Sequence, residues 1–193
     1  MPLSAPVERN LSHTRTITCQ GYERTDGLWD IEAQLLDTKN FAFANKDRGG
    51  MIQAGEALHN IKVRMTVDDN LCIQAIEAVI DDSPFNVCPQ IVDTYKQLVG
   101  KTIGPGWNQY LKEKFGKVHG CTHITELFGP LATTAFQTIF GSRFVRSESE
   151  KPSTTPPRYL NTCHTWSTSG ELVRERWPDS YVNPVEIKLR AVG

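Results

Sequence analysis

The stretch that decides the fold is IKVRMTV at residues 61–67, followed by LCIQAIEAVI at residues 71–80. Apolar and polar side chains alternate along the first run, which is typical of a strand with one face in the core and the other in water. The polar turn at residues 68–70 predicts that the second run folds back as an antiparallel partner. Its apolar phase slips between Ala75 and Ile76, as a β-bulge requires. The side chains predicted to share the core face of the first strand are Ile61, Val63, Met65 and Val67.

A second pair of alternating runs precedes the first, HTRTITCQ at residues 13–20 and LWDIEAQLL at residues 28–36. The turn residues Asp26 and Gly27 between them favour a hairpin. The two pairs together predict a four-stranded antiparallel sheet with one solvated face. The segment at residues 40–55 is polar and contains glycine, which favours a mobile excursion from the sheet.

The second half of the chain has helical periodicity. Pro89 opens an apolar stripe that Gly100 closes, a short helix is predicted at residues 107–115, and a long helix begins near Thr122. Strands followed by helices favour the α+β class, with an antiparallel sheet covered on one face by helices. The chain is predicted to be a single domain, residues 1–193, with a loose arm at 1–12, a flexible linker at 143–158 and a C-terminal hairpin at 159–177.

Composition narrows the classes of function. The 193 residues carry 21 Lys and Arg against 22 Asp and Glu, which gives a formal net charge of -1. This balance excludes the general electrostatic footprint of a protein that binds nucleic acid or an acidic membrane. No apolar run approaches the roughly 18 residues that a membrane-spanning helix needs. The odd count of five cysteines, without a signal peptide, predicts a cytoplasmic protein whose thiols are free or metal-bound.

Two cysteines lie where helices are predicted to begin. Cys88 directly precedes Pro89, and Cys121 lies just before the long helix. Helix N-termini present unpaired N–H groups and a partial positive charge, which favour a thiolate over a thiol. His59 has the odd parity of the core-facing residues of its strand, and His123 lies in the first turn of the long helix. The sequence therefore predicts a tetrahedral ligand set for zinc or an iron–sulfur unit, consisting of Cys88, Cys121, His123 and His59.

Two other functions are open on the same residues. In a small thiol enzyme Cys121 would be the nucleophile, with His123 or His119 as the base and backbone N–H groups at the helix start as an oxyanion site. In a non-catalytic interaction module, the sheet face or the hairpin around Trp29 would dock a protein partner. Glu126, in the same long helix, would accept a hydrogen bond from His123 or lie on a solvated face. The acidic side chains along the first hairpin are predicted to form a solvated face, and they are Asp26, Asp30, Glu32 and Asp37.

Three longer strings carry a resemblance to a known family, namely GYERTDGLWDIEAQLLDTK, AGEALHNIKVRMTVDD and GCTHITELFGPLATTAFQTI. They look like the bacterial family called domain of unknown function 2889. The resemblance runs from about residue 15 to residue 177, which is nearly the whole chain. That family has no established activity, so the resemblance implies a family without implying a reaction.

The order of the motifs is also similar to that of NifU/IscU-type iron–sulfur scaffold proteins, which have an antiparallel sheet followed by helices. This resemblance implies metal ligands at a strand start, at a helix start and before a later helix. Cys121 matches the last scaffold cysteine, and Cys88 matches the middle one after a short insertion. The first cysteine position holds Ala57 with His59 nearby, and Gly120 replaces the histidine before the last cysteine. The resemblance therefore implies a zinc or other single-metal site on a related fold rather than cluster assembly.

Overall fold

The computed structural model describes residues 2–147 and 160–183. The chain divides into two compact units, residues 1–143 and 144–193. The sequence, in contrast, predicts one domain with a linker that begins at residue 143. All of the predicted ligands and both predicted strand pairs belong to the first unit.

Six strands form two antiparallel sheets in the first unit. They are β1 (His13–Glu23), β2 (Trp29–Lys39), β3 (Phe43–Asn45), β4 (Gly50–Ile52), β5 (Ala57–Val67) and β6 (Ile73–Asp82). The main sheet has the order β1-β2-β5-β6, so the two predicted hairpins lie side by side through β2 and β5. This confirms the predicted four-stranded antiparallel sheet. A bulge inserts Gln74 into β6, just before the predicted position, because Thr66 pairs with Ala75 and Val67 pairs with Ile73.

One face of the main sheet carries the hydrophobic core, and the helices α1 (Trp107–Phe115) and α2 (Thr122–Ser147) add apolar side chains to the same buried cluster. Each large side chain buried there stabilises the fold by roughly 1.5–3 kcal/mol. Gly21 of β1 permits close packing, because a Cβ at this position would overlap the Thr138 side chain of α2. The cluster includes Trp29, Ile31, Leu35, Ile61, Met65, Leu127, Phe128 and Leu131. The predicted α+β class is confirmed.

Two segments beside the core differ from their predicted structure. The residues Cys88–Leu98 form a 3-10 helix rather than an α-helix. Its two buried side chains, Tyr95 and Leu98, are three residues apart, which matches the three-residue turn of a 3-10 helix. The excursion predicted at residues 40–55 contains β3 and β4, joined by a 3-10 turn whose N–H groups donate to the side chain of Asn45.

The predicted C-terminal hairpin is wrong. Its second run forms the helix α3 (Glu171–Arg176), in which Arg174 pairs with Glu171 at 3.0 Å. A run of seven residues is too short for its apolar positions to distinguish a strand from a helix, and Glu, Leu and Arg favour the helix. The predicted linker is also wrong at its start, because α2 continues to Ser147. Residues 148–159 lie outside the described residues.

Among the described residues, no helix combines the length and the apolar character that crossing a membrane requires. This agrees with the absence of a long apolar run in the sequence.

Candidate metal centre

At one end of the main sheet, the core-facing side carries a row of polar side chains in place of apolar ones, and we call it the polar row. Arg15 of β1 pairs directly with Asp37 of β2, and Asp37 pairs directly with His59 of β5. Side chains two residues apart on a strand share a face, so this row lies on the core side of the sheet. The neighbouring row on the same face consists of Ile17, Leu35 and Ile61.

Asp37 is the most buried member of this polar row, with 1% of its side chain exposed. The Arg15 guanidinium donates through Nε to Oδ1 and through Nη2 to Oδ2, both at 2.8 Å. His59 Nδ1 lies 2.9 Å from Oδ2, and His13 Nε2 lies 3.3 Å from Oδ1. Burial alone would raise the pKa of Asp37, but the hydrogen bonds from Arg15 and His59 outweigh burial and lower this pKa to about 2. The carboxylate is therefore ionised throughout the neutral range.

Two histidines stack beside this carboxylate. The ring centroids of His59 and His123 are 3.9 Å apart, with the ring planes inclined by 34°. His123 comes from the first turn of α2, and its Nε2 lies 4.0 Å from Asp37 Oδ2. Burial lowers the pKa of both histidines, and the positive charge that His59 can carry lowers the pKa of His123 further. A neutral imidazole keeps a nitrogen lone pair, so both rings are in the form that binds a metal.

Tyr95 fixes the start of α2, and with it the positions of Cys121 and His123. The buried Tyr95 hydroxyl accepts the Cys121 N–H at 2.8 Å, and lies 2.8 Å from the Cys121 carbonyl oxygen and 2.7 Å from Thr125 Oγ1. A Cβ on Gly120 would collide with this hydroxyl, so glycine is needed for the close approach. The helix start then holds Cys121 Sγ 3.9 Å from His123 Nδ1.

Arg15 also joins the sheet to α2. Its Nη1 lies 2.6 Å from Oε2 of Glu126, so one guanidinium spans two carboxylates. The hydrogen bond to Asp37 is the largest influence on the pKa of Arg15 and raises it, which keeps the group permanently charged. The sequence predicted Glu126 either as an acceptor for His123 or as part of a solvated face. Its side-chain partner in the structure is Arg15.

The site could hold a metal ion through three side chains. Asp37, His59 and His123 each offer one ligand atom, and these atoms lie within 4.8 Å of one another. Over residues 2–147 and 160–183, no other group of three or more His, Cys, Asp and Glu side chains meets this distance. Two imidazoles and a carboxylate suit zinc and divalent iron. His123 is the most exposed of the three ligands, with a quarter of its side chain accessible to solvent.

The structure brings two of the four predicted ligands together. His59 and His123 are in contact, and Cys121 is adjacent to His123. Cys88 begins the 3-10 helix and is half-buried, but it does not belong to the group of three ligands. The complete set of Cys88, Cys121, His123 and His59 stays a prediction. His119, the alternative base, is exposed in the 3-10 turn Lys117–His119.

Sequence reasoning missed Asp37 and Arg15. The prediction of a solvated acidic face is wrong for Asp37, because that prediction grouped the residue with other acids by charge. Its odd number gives it the same parity as Leu35, and Arg15 likewise has the parity of Ile17. The alternation that identified His59 could therefore have identified both residues on the core face.

Comparison with known families agrees with the sequence resemblance. A family model described as protein of unknown function (DUF2889) matches residues 13–137, which is more than half of the chain. The chain belongs to this family. The matched region spans all six strands, α1 and the first part of α2, so it contains every residue of the candidate site. No curated protein and no solved structure matches the chain.

Proposed function

We propose that this member of the domain of unknown function 2889 family binds one divalent transition-metal ion through Asp37, His59 and His123. The observation that carries the proposal is the convergence of their three ligand atoms within 4.8 Å at the end of a buried face. A carboxylate and two imidazoles are seldom placed together beside a core unless they pair or bind a cation, because burying polar groups is unfavourable.

The protonation of the three side chains supports this proposal. Metal ligands must be deprotonated, so protons compete with the ion for the site. The pKa of Asp37 is about 2, and burial lowers the pKa of both His59 and His123. All three side chains are therefore in their metal-binding form at neutral pH, and few protons have to be displaced when an ion binds.

The ligand types favour zinc or divalent iron over an iron–sulfur cluster. Cluster iron is held by cysteine thiolates, and the group of three contains none. Cys121 Sγ lies 3.9 Å from Nδ1 of His123, on the opposite side of the ring from Nε2, which faces Asp37, and Cys121 does not belong to the group of three. Three protein ligands leave a coordination position open, at which a bound metal supplies Lewis acidity to water or to a substrate oxygen.

Elemental analysis tests the proposal. The full chain is purified without a chelating tag, dialysed against metal-free buffer, and measured for zinc and iron. The expected result is about one ion per chain for the wild-type protein, and a loss of roughly tenfold or more in the double variant His59→Ala/His123→Ala.

The matched control is His119→Ala, which removes an exposed histidine outside the group of three ligands. This variant is expected to keep the full metal content. Wild-type protein without stoichiometric zinc or iron, with Asp37, His59 and His123 intact, would show that the proposal is wrong.

A second candidate function is thiol chemistry at Cys121. His123 lies between the thiol and the buried carboxylate, with Nδ1 3.9 Å from Cys121 Sγ and Nε2 4.0 Å from Asp37 Oδ2. A nucleophile beside a base is the general arrangement for covalent catalysis, and the Asp37 charge near His123 favours the imidazolium that forms when the ring takes a proton. Burial keeps His123 neutral by lowering its pKa, so the ring is able to take the thiol proton.

Alkylation kinetics separate this second candidate from metal binding. The rate at which iodoacetamide modifies Cys121 is followed by mass spectrometry in chelator-treated protein, for the wild type, His123→Gln and His119→Gln. If His123 is the base, the first variant slows modification by roughly a hundredfold and the second leaves it unchanged. Equal rates in all three proteins would remove thiol chemistry as a candidate.

A further inference from the structure

Both carboxylate oxygens of Asp37 already have partners. Its Oδ1 accepts from Arg15 Nε at 2.8 Å, its Oδ2 accepts from Arg15 Nη2 at 2.8 Å and lies 2.9 Å from His59 Nδ1, and His13 Nε2 adds an ion pair with Oδ1 at 3.3 Å. An ionised carboxylate has about four lone-pair positions. A metal ion that binds through Asp37 therefore meets the positive charge of Arg15, whose guanidinium lies on both oxygens.

Arg15 is the donor that is best placed to leave. About a third of its side chain is exposed, whereas only 13% of the His59 side chain is exposed. Arg15 lies on β1, an edge strand of the main sheet. It also has a second ion-pair partner, because its Nη1 already lies 2.6 Å from Oε2 of Glu126. The guanidinium can leave Asp37 without losing all of its ion pairing.

We propose that Arg15 is a displaceable internal cation that competes with the metal for Asp37, and that Glu126 holds the guanidinium once the metal has replaced it. This inference rests on the proposed function, and it assigns the control of the site to two residues that are not ligands. A divalent ion and a guanidinium repel each other across a few ångströms in a partly buried site. Metal binding and the contact between Arg15 and Asp37 therefore weaken each other.

The exchange also determines which cations bind. A monovalent ion brings no more charge than the guanidinium it displaces, and it forfeits the two-pronged hydrogen bond between Arg15 and Asp37. A divalent ion gains charge in the exchange, and His59 and His123 add two nitrogen ligands. Arg15 thus acts as a filter that admits divalent transition metals and rejects sodium and potassium.

Zinc affinities of four full-length proteins test this inference, measured in chelator-treated samples by competition with a chromophoric chelator. The proteins are the wild type and the variants Arg15→Gln, Glu126→Gln and Arg64→Gln. Removing the competitor is expected to tighten zinc binding by roughly tenfold in Arg15→Gln. Removing the acceptor for the released guanidinium is expected to weaken zinc binding several-fold in Glu126→Gln. Arg64, a cross-strand arginine on the solvated face, is the matched control and is expected to leave the affinity unchanged.

The opposite signs of the two effects distinguish competition from a structural role, since damage to the fold would weaken binding in both variants. If Arg15→Gln does not fold, Arg15→Lys replaces it. Lysine keeps the charge but not the two-pronged hydrogen bond, so this variant is expected to bind zinc more tightly than the wild type by a smaller factor.

Two results would overturn the inference. Zinc binding that is unchanged or weaker in Arg15→Gln, while the wild type and Arg64→Gln bind normally, removes the competition and leaves the proposed metal site standing. Absence of zinc binding in the wild type, Arg15→Gln and Arg64→Gln alike removes the metal site itself, and the inference fails with it.

Discussion

Two rows of directly paired residues in the main sheet have similar chemistry and opposite surroundings. The inner row is the polar row of the candidate metal centre, Arg15, Asp37 and His59, across β1, β2 and β5. The outer row consists of Glu32, Arg64 and Glu77, across β2, β5 and β6. Each row places an arginine beside a carboxylate of the neighbouring strand, so the difference between them comes from burial.

Burial changes what the same pairing does. In the outer row Arg64 donates to Glu32 at 2.7 Å and to Glu77 at 3.2 Å, and between a third and two-thirds of each side chain is exposed. Water already solvates those charges, so the pairs stabilise the fold only slightly. In the inner row Asp37 is shielded from water, and its partners hold its pKa near 2. The same cross-strand pattern gives solvated ion pairs on one face and a buried, ionised carboxylate on the other.

The largest expected difference between the rows is in stability. Asp37→Asn removes the charge that holds Arg15 and His59, and is expected to lower the free energy of unfolding by about 3 kcal/mol. Glu32→Gln, the matched change in the outer row, is expected to lower it by less than about 1 kcal/mol. Urea denaturation at pH 7 with a chelator measures both values. Equal losses in the two variants would show that burial does not distinguish the rows.

The next largest effect is the loss of stability in acid, when Asp37 of the inner row becomes protonated. The folded-state pKa of Asp37 is lowered from the ordinary 3.8 to about 2, so its contribution to stability is present above pH 4 and is lost as the pH falls from 4 to 2. The shift corresponds to ~2 kcal/mol. Unfolding measured between pH 2 and 5 should show a steeper decline in chelator-treated wild type than in Asp37→Asn. Parallel curves would contradict the lowered pKa.

The third effect concerns the Tyr95 hydroxyl, which holds the start of α2 and so positions His123. Tyr95→Phe keeps the stacking of the ring at 4.7 Å from Phe115 but leaves the half-buried Cys121 N–H without its acceptor. The expected loss in the free energy of unfolding is about 1–2 kcal/mol. The matched control is Tyr110→Phe, because the Tyr110 hydroxyl makes no hydrogen bond within the described part of the chain, and its loss should be close to zero. Equal losses in the two variants would mean that the Tyr95 hydroxyl does not anchor α2.

The smallest expected effect is in the outer row. Arg64→Gln breaks both ion pairs of an exposed arginine, and is expected to lower the free energy of unfolding by about 0.5 kcal/mol in dilute buffer. This difference should vanish at about 1 M sodium chloride, where the screening length falls to roughly 3 Å. A large loss that persists at high salt would show that the outer row is not simply solvated.

The sheet was predictable because the alternation within each strand and the turn residues between strands are visible in short stretches of sequence. Alternation assigned the inner face of β5, and the Asp26-Gly27 turn located the first hairpin. The 3-10 helix at Cys88–Leu98 was not predictable, because a stripe with three-residue spacing also fits an α-helix. The C-terminal hairpin failed for a related reason, since seven residues do not define a period.

The candidate site was predictable only in part. Parity placed His59 on the core face, and the helix start placed Cys121 and His123 near one another. The contacts of His123 with the sheet depend on how α2 lies over it, and this is set by tertiary packing at positions such as Gly21. The pairing of Arg15 with Asp37 depends on strand register, which the residues alone do not state. Asp37 was placed on the solvated face because it was grouped with the other acidic residues by its charge, and this placement is wrong.

X-ray absorption at the zinc edge examines the proposed metal site itself, because it counts the ligands of the bound ion. A zinc ion bound by Asp37, His59 and His123 is expected to show a first shell of nitrogen and oxygen at roughly 2.0–2.1 Å, with the outer scattering of two imidazoles and at most one sulfur. His59→Ala and His123→Ala should each remove one imidazole from this pattern. A first shell with two or more sulfurs at about 2.3 Å would contradict the site at Asp37, His59 and His123.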